Sequence, residues 1–111
     1  METTATKRIE ALYQIRGDDV FAFIEQHPFL VPILLEAPAQ IKPYFPESPL
    51  ALEMFIDPEG IGVRSLLIVI PTRLDVDTAF EKFNQIHDDL WFQRWDETQH
   101  KLDLYMEMVS S

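Results

Sequence analysis

The chain of 111 residues contains no cysteine, only three glycines, and 9 lysine and arginine residues against 19 acidic ones. Without cysteine the protein can form no disulfide, thiolate metal site or cysteine nucleophile, and a reducing compartment is compatible with its composition. Gly17, Gly60 and Gly62 do not have the spacing of a phosphate-binding loop. No serine lies in a Gly-x-Ser-x-Gly elbow. These absences remove the usual sequence signatures of nucleotide binding and of acyl transfer.

The formal net charge is -10, and the acidic residues are spread along the chain. Nucleic acids and anionic lipids are bound chiefly by lysine and arginine side chains. We therefore expect no direct nucleic-acid binding and no membrane binding. The charge favours either a basic protein partner or simple solubility.

Long hydrophobic runs are also missing. The longest are Phe29–Leu35, which Pro32 interrupts, and Leu66–Ile70; a membrane helix needs about 20 apolar residues. The first ten residues carry charges where a signal peptide would need its apolar region. The sequence therefore predicts a cytoplasmic protein.

The N-terminal half, residues 1–49, has helical periodicity. Apolar residues predict a helix over Thr4–Arg16 that ends at Gly17, and Asp18 begins a second piece that stops before Pro28. These pieces form either one bent helix or two short ones. A further amphipathic helix runs from Leu30 to Phe45, and Pro38 is expected to kink or split it. We count two helical segments in this half.

The second half, residues 50–111, predicts a β-β-α-β unit. Alternating apolar residues mark strands at residues 52–56 and 102–109, and Ser65–Ile70 is apolar on both faces. Asp57–Gly60 has turn chemistry. A helix over Val76–Phe92, capped by Asp75 or Asp77, connects the last two strands.

This pattern predicts a single α+β domain over residues 1–111 with a small three-stranded sheet packed against helices. The crossover helix makes the last two strands parallel, and the tight turn makes the first two antiparallel. Two strand orders satisfy these rules: 2-1-3, which is fully antiparallel, and 1-2-3, which is mixed.

One sheet face is expected to carry the helices, and its residues are Leu52, Met54, Ile56, Leu66, Ile68, Ile70, Leu102, Leu104 and Met106. The opposite face would then show five apolar residues to solvent, namely Phe55, Leu67, Val69, Tyr105 and Val109. Such a patch needs a cover. Either the N-terminal helices wrap around to it or a second copy of the chain does, and we expect a homodimer.

A second candidate contact region contains Trp91, Phe92, Arg94 and Trp95. Aromatic residues and arginine are enriched at binding hot spots. Three large rings within five helical residues cannot all face the core. In the alternative interpretation, both tryptophans are core residues and Phe92 is partly exposed.

Candidate catalytic or metal-binding residues are few. His87 lies beside Asp88 and Asp89, with His100 farther along, but adjacent helical residues point about 100° apart. Turn and capping roles explain a set of carboxylates, Asp57, Glu59, Asp75 and Asp77. We therefore predict no metal, no cofactor and no catalytic residue.

Two stretches, Glu25–Ala37 and Leu52–Glu59, together with Ile70–Thr72, Ala79–Phe80 and Asp89–Trp91, resemble a family of small uncharacterised bacterial proteins. That family has a Pro-Phe-Leu helix, a strand that ends in Asp-Pro-Glu, a strand that ends in Thr and a helix that ends near Asp-x-Trp. The resemblance implies no activity or cofactor.

Two functions remain open. The first is a non-catalytic protein-interaction or dimerisation module, one version of which neutralises a basic partner. The alternative is a small enzyme or ligand-binding domain with a pocket between the second helix and the sheet, in which His27, His87 or His100 acts as acid or base.

Overall fold

The computed structural model describes residues 3–56, 64–91 and 101–109, and the side chains of residues 3–5, 90 and 91 lie outside this description. The described part has an α+β fold with a mixed sheet. Its elements in chain order are α1 (Thr3–Leu12), β1 (Tyr13–Arg16), α2 (Asp19–Gln26), α3 (Leu30–Ile41), β2 (Leu50–Ile56), β3 (Arg64–Thr72), α4 (Val76–Ile86) and β4 (Leu102–Met108). A turn of π-helix, His87–Trp91, extends α4.

The sheet has four strands in the order β1-β2-β3-β4, so the expectation of three strands is wrong by one. β1 is parallel to β2, β2 is antiparallel to β3, and β3 is parallel to β4. The last three strands therefore follow chain order, and the fully antiparallel alternative is wrong. The apolar strand β3 occupies an interior position, with β2 and β4 paired to its two edges.

β1 replaces the end of the helix that the sequence predicts over Thr4–Arg16. The helix ends at Leu12, and the next four residues pair with the start of β2. Gly17 follows this strand with a φ of +110°, a conformation that glycine adopts readily. A Cβ at Gly17 would lie 2.9 Å from Oδ1 of Asp19, but this exposed side chain can move aside, so the positive φ is what favours glycine here.

The core lies between one face of the sheet and the helices. Six of the expected core-face residues are buried, namely Leu52, Leu66, Ile68, Ile70, Leu102 and Leu104. Ile86 of α4 belongs to the same buried cluster, which places α4 on the same face as the other helices. Ile56 is an exception, because it is 53% exposed at the end of β2, and its assignment to the core was wrong.

α3 continues through Pro38. A proline has no N–H, so the carbonyl of Leu34, four residues earlier, loses its usual helical donor. The hydroxyl of Tyr13 supplies the missing donor, with a buried hydrogen bond of 2.7 Å to the Leu34 oxygen. Burial also raises the pKa of Tyr13, so the hydroxyl keeps its proton. β1 is thereby joined to α3 at the point where the helix lacks an internal bond.

Among the described residues, no single helix is long and apolar enough to cross a membrane. α2 and α3 meet the length and composition test only as a pair bent by 118°.

We predict that Tyr13→Phe destabilises the protein by about 1–3 kcal/mol, because it leaves a buried carbonyl without a donor. In a Pro38→Ala background the backbone N–H of residue 38 is restored, so the same Tyr13→Phe change is expected to cost less. Chemical denaturation of the four proteins in this double-mutant cycle measures the coupling.

Tyr44→Phe is the matched control, because no described residue hydrogen-bonds to the half-buried Tyr44 hydroxyl. Equal costs for Tyr13→Phe in both backgrounds would show that Tyr13 does not compensate for Pro38.

Candidate functional site

The face of the sheet that carries no helix is crossed by an ion pair between its two edge strands. Arg16 on β1 donates to both carboxylate oxygens of Glu107 on β4, at 3.0 and 3.1 Å. Its guanidinium also lies 3.7 Å from Glu53 on β2. These hydrogen bonds raise the pKa of Arg16 and lower the pKa of Glu107 below its usual range. We call this group the Arg16–Glu107 clasp.

The clasp requires a strongly twisted sheet. Three strand spacings separate β1 from β4, which in a flat sheet is about 14 Å. Across the sheet, Asp103 is the β4 residue in register with Arg16. Glu107 lies four residues farther along β4, and this offset adds about 13 Å to the separation. Two side chains cannot span that diagonal unless sheet twist brings its ends together. The clasp therefore both depends on the twist and stabilises it.

Ala51 and Val69 lie on the two strands between the partners of the clasp, on the same face. They are 1% and 0% exposed. Val69 was expected to face solvent or a partner, and the structure shows instead that it is covered within one copy. We attribute the cover to the twist and to the long side chains of Arg16 and Glu107, which reach over small residues.

The other predicted contact residues have mixed positions. Phe55 and Tyr105 are 46% and 51% exposed, whereas Leu67 and Val109 are partly buried. Phe55 lies at the far end of β2, and Tyr105 lies at the middle of the edge strand β4. The aromatic cluster cannot be placed, because Phe92, Arg94 and Trp95, as well as the side chain of Trp91, lie outside the described residues.

β4 has an outer edge that no strand among the described residues pairs with. The N–H of Leu66 donates to Lys101, and the N–H of Val109 donates to Thr72, so the odd-numbered residues of β4 direct their peptide groups toward β3. By the alternation of a parallel ladder, Leu104, Met106 and Met108 direct theirs outward. The N–H of Leu104 is already bonded to the carboxylate of Asp103 at 2.8 Å, which leaves the later part of the edge open.

Exposed apolar side chains are found on both β4 and α4. Val76 and Phe80 of α4 are 53% and 52% exposed, and Met108 is 43% exposed. Around α4, Lys82 lies on one side of the buried residues and Phe80 on the other, about 160° away. Val76 and Phe80 therefore lie on the flank of α4 that is opposite Lys82. We define the β4 edge surface as the outer edge of β4 with Val76, Phe80, Tyr105 and Met108.

Val76 and Phe80 belong to the apolar positions from which the sequence predicts this helix, but both are about half exposed. The apolar residues of α4 cover an arc of about 120° around its axis. Ala79 and Ile86 occupy the buried half of this arc, and Phe83 is partly buried beside them. The width of the arc was the available signal that some of these residues face outward.

The histidines are in two different settings. His27 lines a cavity of about 190 Å³ with Asp19, Arg64 and Lys101. Its Nδ1 lies 2.9 Å from the Phe23 carbonyl oxygen. Because a carbonyl only accepts, Nδ1 carries a hydrogen and donates this bond. The ring of His87 lies 6.3 Å from that of Phe83, and His100 lies outside the described residues.

Asp75 is one of the carboxylates for which the sequence predicts a capping role. It accepts a hydrogen bond from the N–H of Thr78 at 3.1 Å. This bond lowers the pKa of Asp75, and it confirms one of the two expected caps of α4. Asp57 and Glu59 lie outside the described residues. In the described part, no group of three or more histidine, aspartate or glutamate side chains could hold a metal ion.

No family model, no curated protein and no solved structure matches this chain. The resemblance to a bacterial family therefore stays a prediction. The fold and the β4 edge surface are the observations on which a function can be argued.

We predict that Glu107→Gln lowers the free energy of unfolding at neutral pH by about 1 kcal/mol, the upper end for a partly exposed pair with bidentate geometry. The folded-state pKa of Glu107 is lowered, whereas a glutamate in the unfolded chain titrates at about 4.3. The stabilisation is therefore fully present above that pH and is lost as the pH falls through the folded-state pKa.

Unfolding measured from neutral to acidic pH tests this expectation, with Glu10→Gln on the exposed surface of α1 as the control. A difference between wild type and Glu107→Gln that persists unchanged at low pH would contradict the role of the charged clasp.

Proposed function

We propose that this protein is a non-catalytic interaction module that forms a homodimer through the β4 edge surface. The observation that carries the proposal is the seven-residue edge strand β4, whose later peptide groups point outward between exposed apolar side chains. Natural proteins usually cover, shorten or charge such an edge, because it pairs readily with another strand. Added strands of this kind are a common mode of protein recognition.

A second copy suits the surface because the surface is self-complementary. Two copies related by a two-fold axis place their β4 strands antiparallel, and each copy supplies the same strand and the same apolar flank. Met106 and Met108 of each copy then meet across the new ladder. Val76 and Phe80 pack against the β4 side chains of the other copy.

The acidic composition makes the dimer dependent on ionic strength. Two chains that each carry a net charge of -10 repel one another, and salt screens this repulsion. Dimerisation should therefore strengthen as salt is added, whereas binding of a basic partner at the same surface would weaken. The direction of the salt dependence therefore distinguishes a second copy of the chain from a basic partner.

The proposal also includes several expectations from the sequence. The protein is cytoplasmic, acts without a cofactor, and binds neither nucleic acid nor membranes directly. The region of Trp91, Phe92, Arg94 and Trp95 is a second contact surface, and a basic protein is its most natural partner because the chain is acidic.

We predict that light scattering during size exclusion gives twice the 13.0 kDa chain mass at high protein concentration. Met108→Lys and Phe80→Glu each place a charge in the β4 edge surface and should shift the protein to the monomer. Phe55→Lys is the matched control, since it replaces an equally exposed apolar residue (46%) away from β4, and it should leave the dimer intact.

Thermal unfolding of each variant establishes that it is folded before its mass is interpreted. A wild-type monomer at all concentrations and salt levels would refute the proposal. So would a dimer that Phe55→Lys disrupts and Met108→Lys does not.

A further inference from the structure

A cavity lies at the end of the sheet where β3 and β4 finish. Its volume is about 690 Å³, within the range of small-molecule sites. One wall is the segment that follows α3, from Tyr44 to Pro49, and the other is Pro71–Leu74 with Val109. Lys82 of α4 completes the lining.

The walls of this cavity are mainly apolar and stiff. Three of the lining residues are prolines, namely Pro46, Pro49 and Pro71. A proline has no N–H, and its φ is fixed. These positions in the wall therefore offer no backbone donor and have little conformational freedom. A ligand must therefore obtain its polar contacts chiefly from side chains.

Two cations supply these contacts. Arg73 and Lys82 enter the lining from different elements, and no described carboxylate forms an ion pair with either. Glu47 is the one acidic residue in the lining, so the cavity has one net positive charge in a chain whose net charge is -10. Tyr44 and Ser48 add hydroxyl groups.

The backbone around Arg73 is fixed by its neighbours. The side-chain oxygen of Thr72 accepts a hydrogen bond from the N–H of Leu74 at 3.2 Å. The Thr72 carbonyl accepts another from the N–H of Val109 at 2.9 Å. The backbone of Arg73 therefore lies between two anchored residues.

We propose that this cavity binds a small amphipathic anion, an aryl or alkyl carboxylate or sulfonate. The apolar body lies against the proline and aromatic walls, and the anionic group lies between Arg73 and Lys82. This site shares no side chain with the β4 edge surface, so the proposal does not depend on the dimer.

The probe for the test is 1-anilinonaphthalene-8-sulfonate, and N-phenyl-1-naphthylamine, which has the same rings without the sulfonate, is the neutral control. We expect the sulfonate probe to bind the folded protein more tightly than the neutral one. Arg73→Gln with Lys82→Gln should weaken the sulfonate probe about tenfold, from two partly screened charges, and leave the neutral probe unchanged. Lys7→Gln with Arg8→Gln on the exposed surface of α1 is the matched control, since it also removes two positive charges, and it should have no effect.

Two further variants locate the probe. Ser48→Trp fills the cavity and should abolish binding of both probes, with folding checked by thermal unfolding. Phe80→Glu alters the β4 edge surface and should leave the sulfonate affinity unchanged. Equal affinity for the two probes, no effect of the Arg73 and Lys82 changes, or loss of binding in Phe80→Glu would each overturn the proposal.

Discussion

The hydroxyl of Tyr13 donates to a carbonyl that Pro38 leaves without a helical donor, and the way α3 sits on the sheet depends on this bond. Without it, α3 would carry a buried unsatisfied carbonyl at its middle, and the helix would be expected to bend there. With it, α3 stays continuous over Leu30–Ile41. The donor comes from β1, so the short strand and the proline-containing helix stabilise each other.

The same four-residue strand also organises the opposite face. Tyr13 points toward the helices, and Arg16, three positions later, points away from them and reaches Glu107. The clasp covers Ala51 and Val69 within one copy. The exposed apolar surface that the composition implies therefore does not lie in the middle of the open face. Part of it lies on the edge strand β4, at Tyr105 and Met108, and part on α4, at Val76 and Phe80.

Sequence reasoning worked where the signal is local. The alternation in Leu50–Ile56 and Leu102–Met108 and the cap at Asp75 could all be predicted from neighbouring residues. β1 could not, because Ile9, Leu12, Tyr13 and Ile15 have nearly helical spacing, and the bonds that favour a strand come from Leu34 and Glu107, which are distant in sequence. The exposure of Val69 and Phe80 could not be predicted for the same reason. The burial of Val69 depends on the twist of the whole sheet, and the exposure of Phe80 depends on which side of α4 packs on the sheet.

The cavity and the β4 edge surface meet at one point of the ladder. Thr72 is in register with Met108 and its carbonyl accepts the N–H of Val109, so Val109 of the cavity directly follows Met108 of the β4 edge surface. A ligand that contacts Val109 acts on the residue next to Met108, where the open edge ends. The two sites use different residues and different chemistry, and they lie next to each other at the same end of the sheet.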